Sequence, residues 1–305
     1  KSKKITSYII QFNYGLFQFD FLIKLIHYLK DSGIKVIVFL HSTIDPENDE
    51  TKKLNLLQES LSVCDRIIAH TISDLNRLKK MNLIDNVTLF PHGIPEFSFD
   101  SNKQVNLNSN YLSHNKKEIS IASFGFCLPN KGYKELIKAV SLLKERNLIV
   151  NLTIYCALYS EDYNWYYKEI KNEIIKLGLS EIVTIDNTYY SEQEVFSKLL
   201  LNELIVFPYQ SSSESSSASV RLGLATGRHV LVTPLAIFDD VANLVNYMPG
   251  MKIEDIAEGI VSWFDKSNNQ HSDNQRKKLI EQRGFSKTAY RFSSLIKSIE
   301  INEKF

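Results

Sequence analysis

The sequence predicts an α/β protein of two Rossmann-like domains with parallel sheets, and three observations carry that expectation. Short β-branched runs alternate with amphipathic segments of helical length along almost the whole chain, the pattern of parallel strands joined by right-handed crossovers. The alternation breaks once, between Pro95 and Lys117, where aperiodic residues rich in Asn and Ser read as an interdomain linker. At 305 residues, 44% hydrophobic and 23% charged, the chain is long enough to bury two cores.

Taken in order, Ile5 to Phe12 reads as a strand, Phe19 to Leu29 as an amphipathic helix closed by Gly33, and Lys35 to His41 as a β-branched strand. A helix over Lys53 to Val63, a strand over Arg66 to Thr71 and a helix over Ser73 to Lys80 with Ser73 as N-cap come next. Val87 to Phe90 is a strand stopped by Pro91-His92-Gly93. Beyond the linker come strand Ile119 to Phe126, helix Tyr133 to Glu145, strand Val150 to Cys156 and helix Tyr163 to Leu177. Strand Ile182 to Ile185, helix Glu192 to Leu200, strand Leu204 to Phe207, a helix stopped by Gly227, and strand His229 to Val232 complete the alternation. Ile237 to Leu244, a helix from Ile253 to Phe264, a polar gap from Asp265 to Gln275 and two last helices close the chain.

Composition excludes several classes of function. With 36 basic against 35 acidic residues the net charge is +1, so no global field recruits nucleic acid. Cys64, Cys127 and Cys156 are odd in number, far apart and without a CxxC pair, which argues against zinc ribbons and disulfide frameworks and for a reducing, cytoplasmic setting. No apolar run reaches the roughly 18 residues of a membrane span. Lys3, Lys4, Lys277 and Lys278 are too few to carry peripheral membrane contact, which stays open. Asp239-Asp240 reads as a helix cap rather than a metal-binding pair, and no metal is expected.

Phe207 to Pro234 is the most informative stretch. Leu204 to Phe207 and His229 to Val232 are buried strands, and the loop between them is rich in serine and opens into a helix whose apolar face carries Ala218, Leu222, Leu224 and Ala225. Ser215 to Ser219 supply N-caps and backbone N–H groups at a helix start, a natural phosphate site. Glu214, one step earlier, suits sugar hydroxyls, and phosphate beside sugar suggests a nucleotide sugar. The plain alternative is a solvated serine-rich connection.

The order of motifs resembles the GT-B glycosyltransferases of the family-4 type. Asp65 to Thr71 followed by Val87 to Ile94 looks like the end of that family's N-terminal domain, and Phe124 to Gly132 like its loop with a phosphate-binding lysine. Phe207 to Pro234 looks like the donor-binding signature, and Phe285 to Ile299 like the terminal helix that returns to the first domain. The resemblance implies a GT-B fold, two Rossmann-like domains with parallel sheets facing across a cleft. It divides the chain into an N-terminal domain with linker (residues 1–114), a nucleotide-sugar domain (115–285) and a returning helix (286–305). It also implies a glycine-rich loop that here has no counterpart ahead of the first strand, so that the chain is expected to be part of something longer. The aromatics of Gln11 to Phe17 would then lie nearest the cleft, stacking on sugars or packing under the next helix.

Carried over by position, Lys131 would pair with the donor diphosphate, Glu214 would hold the sugar hydroxyls, and Ser215, Ser216 and Ser217 would offer N–H groups to sugar and phosphate. His41 ends its strand where the family often contacts the transferred sugar, although His70 and His92 end strands too. The signature's second glutamate falls on Leu222, which removes a charged hydrogen bond to ribose worth roughly 1.5–3 kcal/mol. The arginine expected before the lysine is Phe126, and Arg221 is either its substitute or an exposed helix residue. The implied activity is metal-independent retaining transfer from a nucleoside diphosphate sugar to a glycan, glycolipid or glycoprotein acceptor, as in surface polysaccharide biosynthesis. A nucleotide-sugar epimerase on the same fold, and a non-catalytic scaffold subunit of a glycosyltransferase complex, are the alternatives.

Overall fold

The computed structural model describes residues 5–97, 118–266 and 271–301. Most of the linker over Pro95 to Lys117 lies outside them, as does part of the polar gap.

Four parallel strands form the first sheet in the order β1-β2-β3-β4: β1 (Ser7–Phe12), β2 (Lys35–Leu40), β3 (Arg66–Ala69) and β4 (Val87–Leu89). β2 reads as an unbroken apolar run because both of its faces are covered. Val36, Val38 and Leu40 pack with α1 (Phe19–Asp31), while Ile37 and Phe39 pack with Ile299 and Phe292 of the C-terminal helix. Glycine is required at 93, where an added Cβ would lie 2.5 Å from the Phe285 ring of that helix.

The stretch expected as a helix over Lys53 to Val63 is two 3-10 turns followed by the short α2 (Gln58–Ser62). For α3 (Ile72–Lys80) the cap is Thr71 and not Ser73. Thr71 and Asp74 form a reciprocal capping box, which satisfies two helix-end donors where Ser73 would satisfy one. The aromatics of the first loop pack under α1. Phe12 is fully buried against Tyr14, Phe17 and Phe19, and the Tyr14 hydroxyl donates to Asp45 at 2.9 Å.

The second sheet has six parallel strands in the order β10-β9-β8-β5-β6-β7. They are β5 (Glu118–Phe124), β6 (Ile149–Tyr155), β7 (Val183–Asp186), β8 (Leu204–Phe207), β9 (His229–Val232) and a short β10 (Asn246–Tyr247) that the sequence did not announce. This is the Rossmann order, reversing between β5 and β8, so the crevice of a doubly wound sheet opens at those carboxyl ends. α4 (Tyr133–Glu145), α5 (Asn164–Lys176) and α8 (Ile253–Lys266) cover one face, and α6 (Glu192–Leu200) and α7 (Ala218–Ala225) the other.

The described part of the polar gap is helical. α8 continues to Lys266, and α9 (His271–Gln282) precedes α10 (Phe285–Ile301), whose far end reaches β1 through Glu300 and the hydroxyls of Thr6 and Ser7. No described helix is long and apolar enough to cross a membrane.

Candidate active site

Two loops meet at the switch point. After β5 the chain makes a 3-10 turn over Pro129–Lys131 and enters α4 through Gly132, at φ +73°. A Cβ there would lie 1.9 Å from the Pro208 carbonyl oxygen, so only glycine lets this loop touch the one that follows β8. The contact is stitched by the Gln210 N–H donating to the Asn130 carbonyl at 2.8 Å and by the Asn130 amide donating to the Ser211 carbonyl at 3.2 Å. It sets the Lys131 ammonium 3.9 Å above the Tyr209 ring. The Tyr209 hydroxyl lies 3.3 Å from Ser217 Oγ, and Ser217 caps α7 by accepting from the Val220 N–H. One cation and one helix N-terminus, with its unpaired N–H groups and positive dipole end, therefore stand side by side.

A pocket adjoins them. Gly125 and Phe126 form one wall, Ala218, Ser219 and Leu222 of α7 the other, with Tyr189 and Glu192 at its rim. Phe126 stands edge-on to Tyr159 at 5.3 Å, so the residue in place of the expected arginine extends an aromatic wall. Leu222 lines the same pocket, which leaves Glu192 as a carboxylate of its lining.

Glu214 is exposed, but both neighbours are anchored to the first domain. Ser42 Oγ donates to the Ser213 carbonyl at 2.6 Å, the Ser215 N–H donates to the His41 carbonyl at 3.1 Å, and Ser215 Oγ donates to Asp74 at 2.8 Å. Ser215 was expected to offer its N–H to the donor; here both of its donors hold the two domains together. Ser216 is half-buried in the same loop.

Asp74 is the hub of this contact. Its fully buried carboxylate accepts from Thr43 Oγ1, Thr71 Oγ1, the Thr71 N–H, Ser215 Oγ and the Arg77 guanidinium. Burial pushes its pKa up, but the hydrogen bonds from Thr43, Thr71, Ser215 and Arg77 outweigh burial and hold it below the usual value.

Arg221 is neither exposed nor open to a phosphate. It is 4% exposed, its guanidinium donates to the Ser217 carbonyl, and it pairs with Asp240, which also accepts from Arg283 at 3.2 Å. Asp240 is thus an ion-pair centre and not a helix cap, and Asp239 reaches across to Ser73 at 3.3 Å. A guanidinium buried beside a carboxylate keeps its charge by keeping that partner, so Arg221 does not substitute for the cation expected at position 126.

The first sheet adds what sequence reasoning missed. His41, His70 and His92 follow β2, β3 and β4, and because those strands are adjacent the rings collect in one stack. Ring centroids are 5.3 Å apart for His41–His70 and for His41–His92, and 3.7 Å apart for His70–His92. Burial holds all three below the usual imidazole range. His70 falls to about 4, with further lowering from the nearby charges of His41 and Arg221, and His92 falls lower still beside His70, Arg221 and Arg283. The Gln11 amide oxygen lies 2.7 Å from His41 Nε2, and the Phe90 carbonyl 2.9 Å from His70 Nδ1. The legible signal was that each of three successive strands ends in histidine.

No family model matches the chain, and no curated protein matches it in sequence. Solved structures do match in shape. HepE of Anabaena, solved in complex with UDP, superposes with a TM-score of 0.71 at 14% identity over 95% of this chain and 78% of its own. Sucrose-phosphate synthase from Thermosynechococcus elongatus gives 0.72 at 14% identity, over 95% and 73%. A UDP-forming α,α-trehalose-phosphate synthase from Burkholderia xenovorans gives 0.74 at 13% identity, over 96% and 74%. With two parallel Rossmann-like sheets, loops meeting at a switch point and a final helix packed on the first sheet, the chain has the GT-B fold.

Proposed function

We propose that the protein is a glycosyltransferase that moves a sugar from a nucleoside diphosphate donor to a glycan, glycolipid or glycoprotein acceptor with retention of configuration. The observation that carries this reading is the convergence of Lys131 and the α7 N-terminus at the switch point, beside an aromatic-walled pocket. In this reading the pocket takes the nucleoside, and the diphosphate lies across the start of α7. When an acceptor hydroxyl attacks the anomeric carbon from the face that the diphosphate leaves, the bond to the diphosphate breaks, negative charge grows on the leaving oxygen, and that oxygen takes the proton of the hydroxyl. Lys131 and the helix N–H groups are already aimed where that charge develops, so they stabilise the transition state more than the ground state. Glu214, pinned through Ser213 and Ser215, accepts hydrogen bonds from the donor sugar, and His41 lies on the first-domain side of the same loop. This chemistry needs no metal on the diphosphate. The solved neighbours support a uridine nucleotide as the first donor to try, since HepE was solved with UDP-glucose.

The scaffold reading draws on Leu222 and Phe126, which stand where a ribose carboxylate and a second phosphate cation were expected, and on Arg221 being held by Asp240. Donor turnover separates the two. The transferase reading expects release of the nucleoside diphosphate from a donor sugar, reduced at least 100-fold in Lys131→Ala and in Glu214→Gln. Biological function retained at wild-type level in both variants would establish the scaffold instead.

A further inference from the structure

The geometry points to a second site, on the first domain's side of the cleft: we propose that His41, His70 and His92 bind a divalent transition-metal ion of the zinc type. Each offers one ring nitrogen, and the three nitrogens lie within 4.8 Å of one another. Two of the rings have their tautomers set for this task. A carbonyl oxygen only accepts, so the proton of His70 sits on Nδ1 facing Phe90, and its Nε2 carries the lone pair. That Nε2 is buried without a hydrogen-bond partner, in a residue only 1% exposed. A buried acceptor left without a partner is destabilising, and an ion in front of it removes that cost. The Gln11 amide oxygen likewise draws the His41 proton to Nε2, which places the lone pair on Nδ1. A histidine whose other nitrogen donates to a carbonyl or amide oxygen is the usual outer support of a metal ligand.

Tetrahedral bonds of about 2.0–2.1 Å need nitrogens about 3.3 Å apart. The stacked His70 and His92 rings must therefore turn about their Cβ–Cγ bonds and draw inward, and His41 and His92, both only half-buried, have room to do so. The nearby Arg221 charge is offset by Asp240, so the ion does not meet an unpaired cation. Three imidazoles leave a fourth position open toward the cleft, as in catalytic rather than structural zinc sites. A His41 ring that holds the ion meets a sugar only through that open position.

The test is metal content. The purified chain is stripped with chelator, equilibrated with Zn²⁺ and dialysed, and bound metal is measured by mass spectrometry; Co²⁺ loading is followed by visible absorption. The expected result is close to one ion per chain, a Co²⁺ spectrum of tetrahedral type, and at least tenfold weaker binding in His41→Ala and in His92→Ala. These two variants keep the test alive if the buried His70→Ala fails to fold. Stoichiometry unchanged in a cooperatively melting His41→Ala/His92→Ala double variant, or no metal retained by the wild type, overturns the proposal. Nucleotide binding is read separately by calorimetry, so loss of the donor reading and loss of the metal site are distinguishable.

Discussion

The two sheets send different chemistry into one cleft from the same kind of strand end. The six-stranded sheet reverses its strand order between β5 and β8, and the loops that meet there bring a helix N-terminus, a glycine and a lysine together. The four-stranded sheet runs β1-β2-β3-β4 without a reversal in its described part, so the ends of adjacent strands stay together and crowd three histidines into a stack. In the proposed reading one edge takes an anion, while the other carries imidazoles held neutral by burial. Strand order, more than residue type, decides which edge can open.

Breaking the contact between the edges gives the largest expected effect. Asp74→Ala strips the acceptor from three hydroxyls, a backbone N–H and Arg77, and leaves a cation beside an empty buried site. A loss of about 3–5 kcal/mol is expected, read as a lowered urea midpoint; a change under 1 kcal/mol would show that the domains are held elsewhere. Gly132→Ala attacks the anion edge alone. The positive φ and the 1.9 Å approach to Pro208 predict a cost of about 2–4 kcal/mol together with weaker nucleotide binding, measured by thermal melting and titration.

Acid sharpens the histidine edge. Unfolded histidine titrates near 6.5, while His70, faced by His41, Arg221 and Asp74, takes its proton only at about 4. Between those values the unfolded chain binds a proton that the folded chain refuses. Stability is therefore whole above about pH 6.5, declines as the pH falls, and has lost about 3 kcal/mol through this residue at pH 4. Urea melts in chelator from pH 7.5 to 4 should show the decline, and His70→Phe should make it shallower, leaving the share that His92 contributes. The smallest effect belongs to the pocket. Leu222→Glu returns a carboxylate to its wall and should tighten nucleotide binding about tenfold, less whatever burial of the new charge costs.

Much of this was legible in the sequence for physical reasons. Strands covered on both faces, such as Val36 to Leu40, must be apolar at every position, and Gly132 and Ser217 mark a backbone contact and a cap that few other residues can make. What was not legible depends on partners far along the chain. Ser215 meets Asp74 from 141 residues away, and nothing local distinguishes a serine that donates to a ligand from one that donates across a domain contact. Arg221 looked exposed or functional because Asp240, which holds it, comes 19 residues later on a different element. The histidines were visible singly; only the adjacency of β2, β3 and β4 joins them.

The central claim, a donor site at the switch point built on Lys131, is tested most directly by calorimetric titration of the chain with UDP, GDP and ADP, repeated on Lys131→Ala. Saturable binding of one nucleotide in preference to the others, weakened at least tenfold in the variant, is the predicted result. No binding of any of the three, or equal binding in the variant, would contradict it.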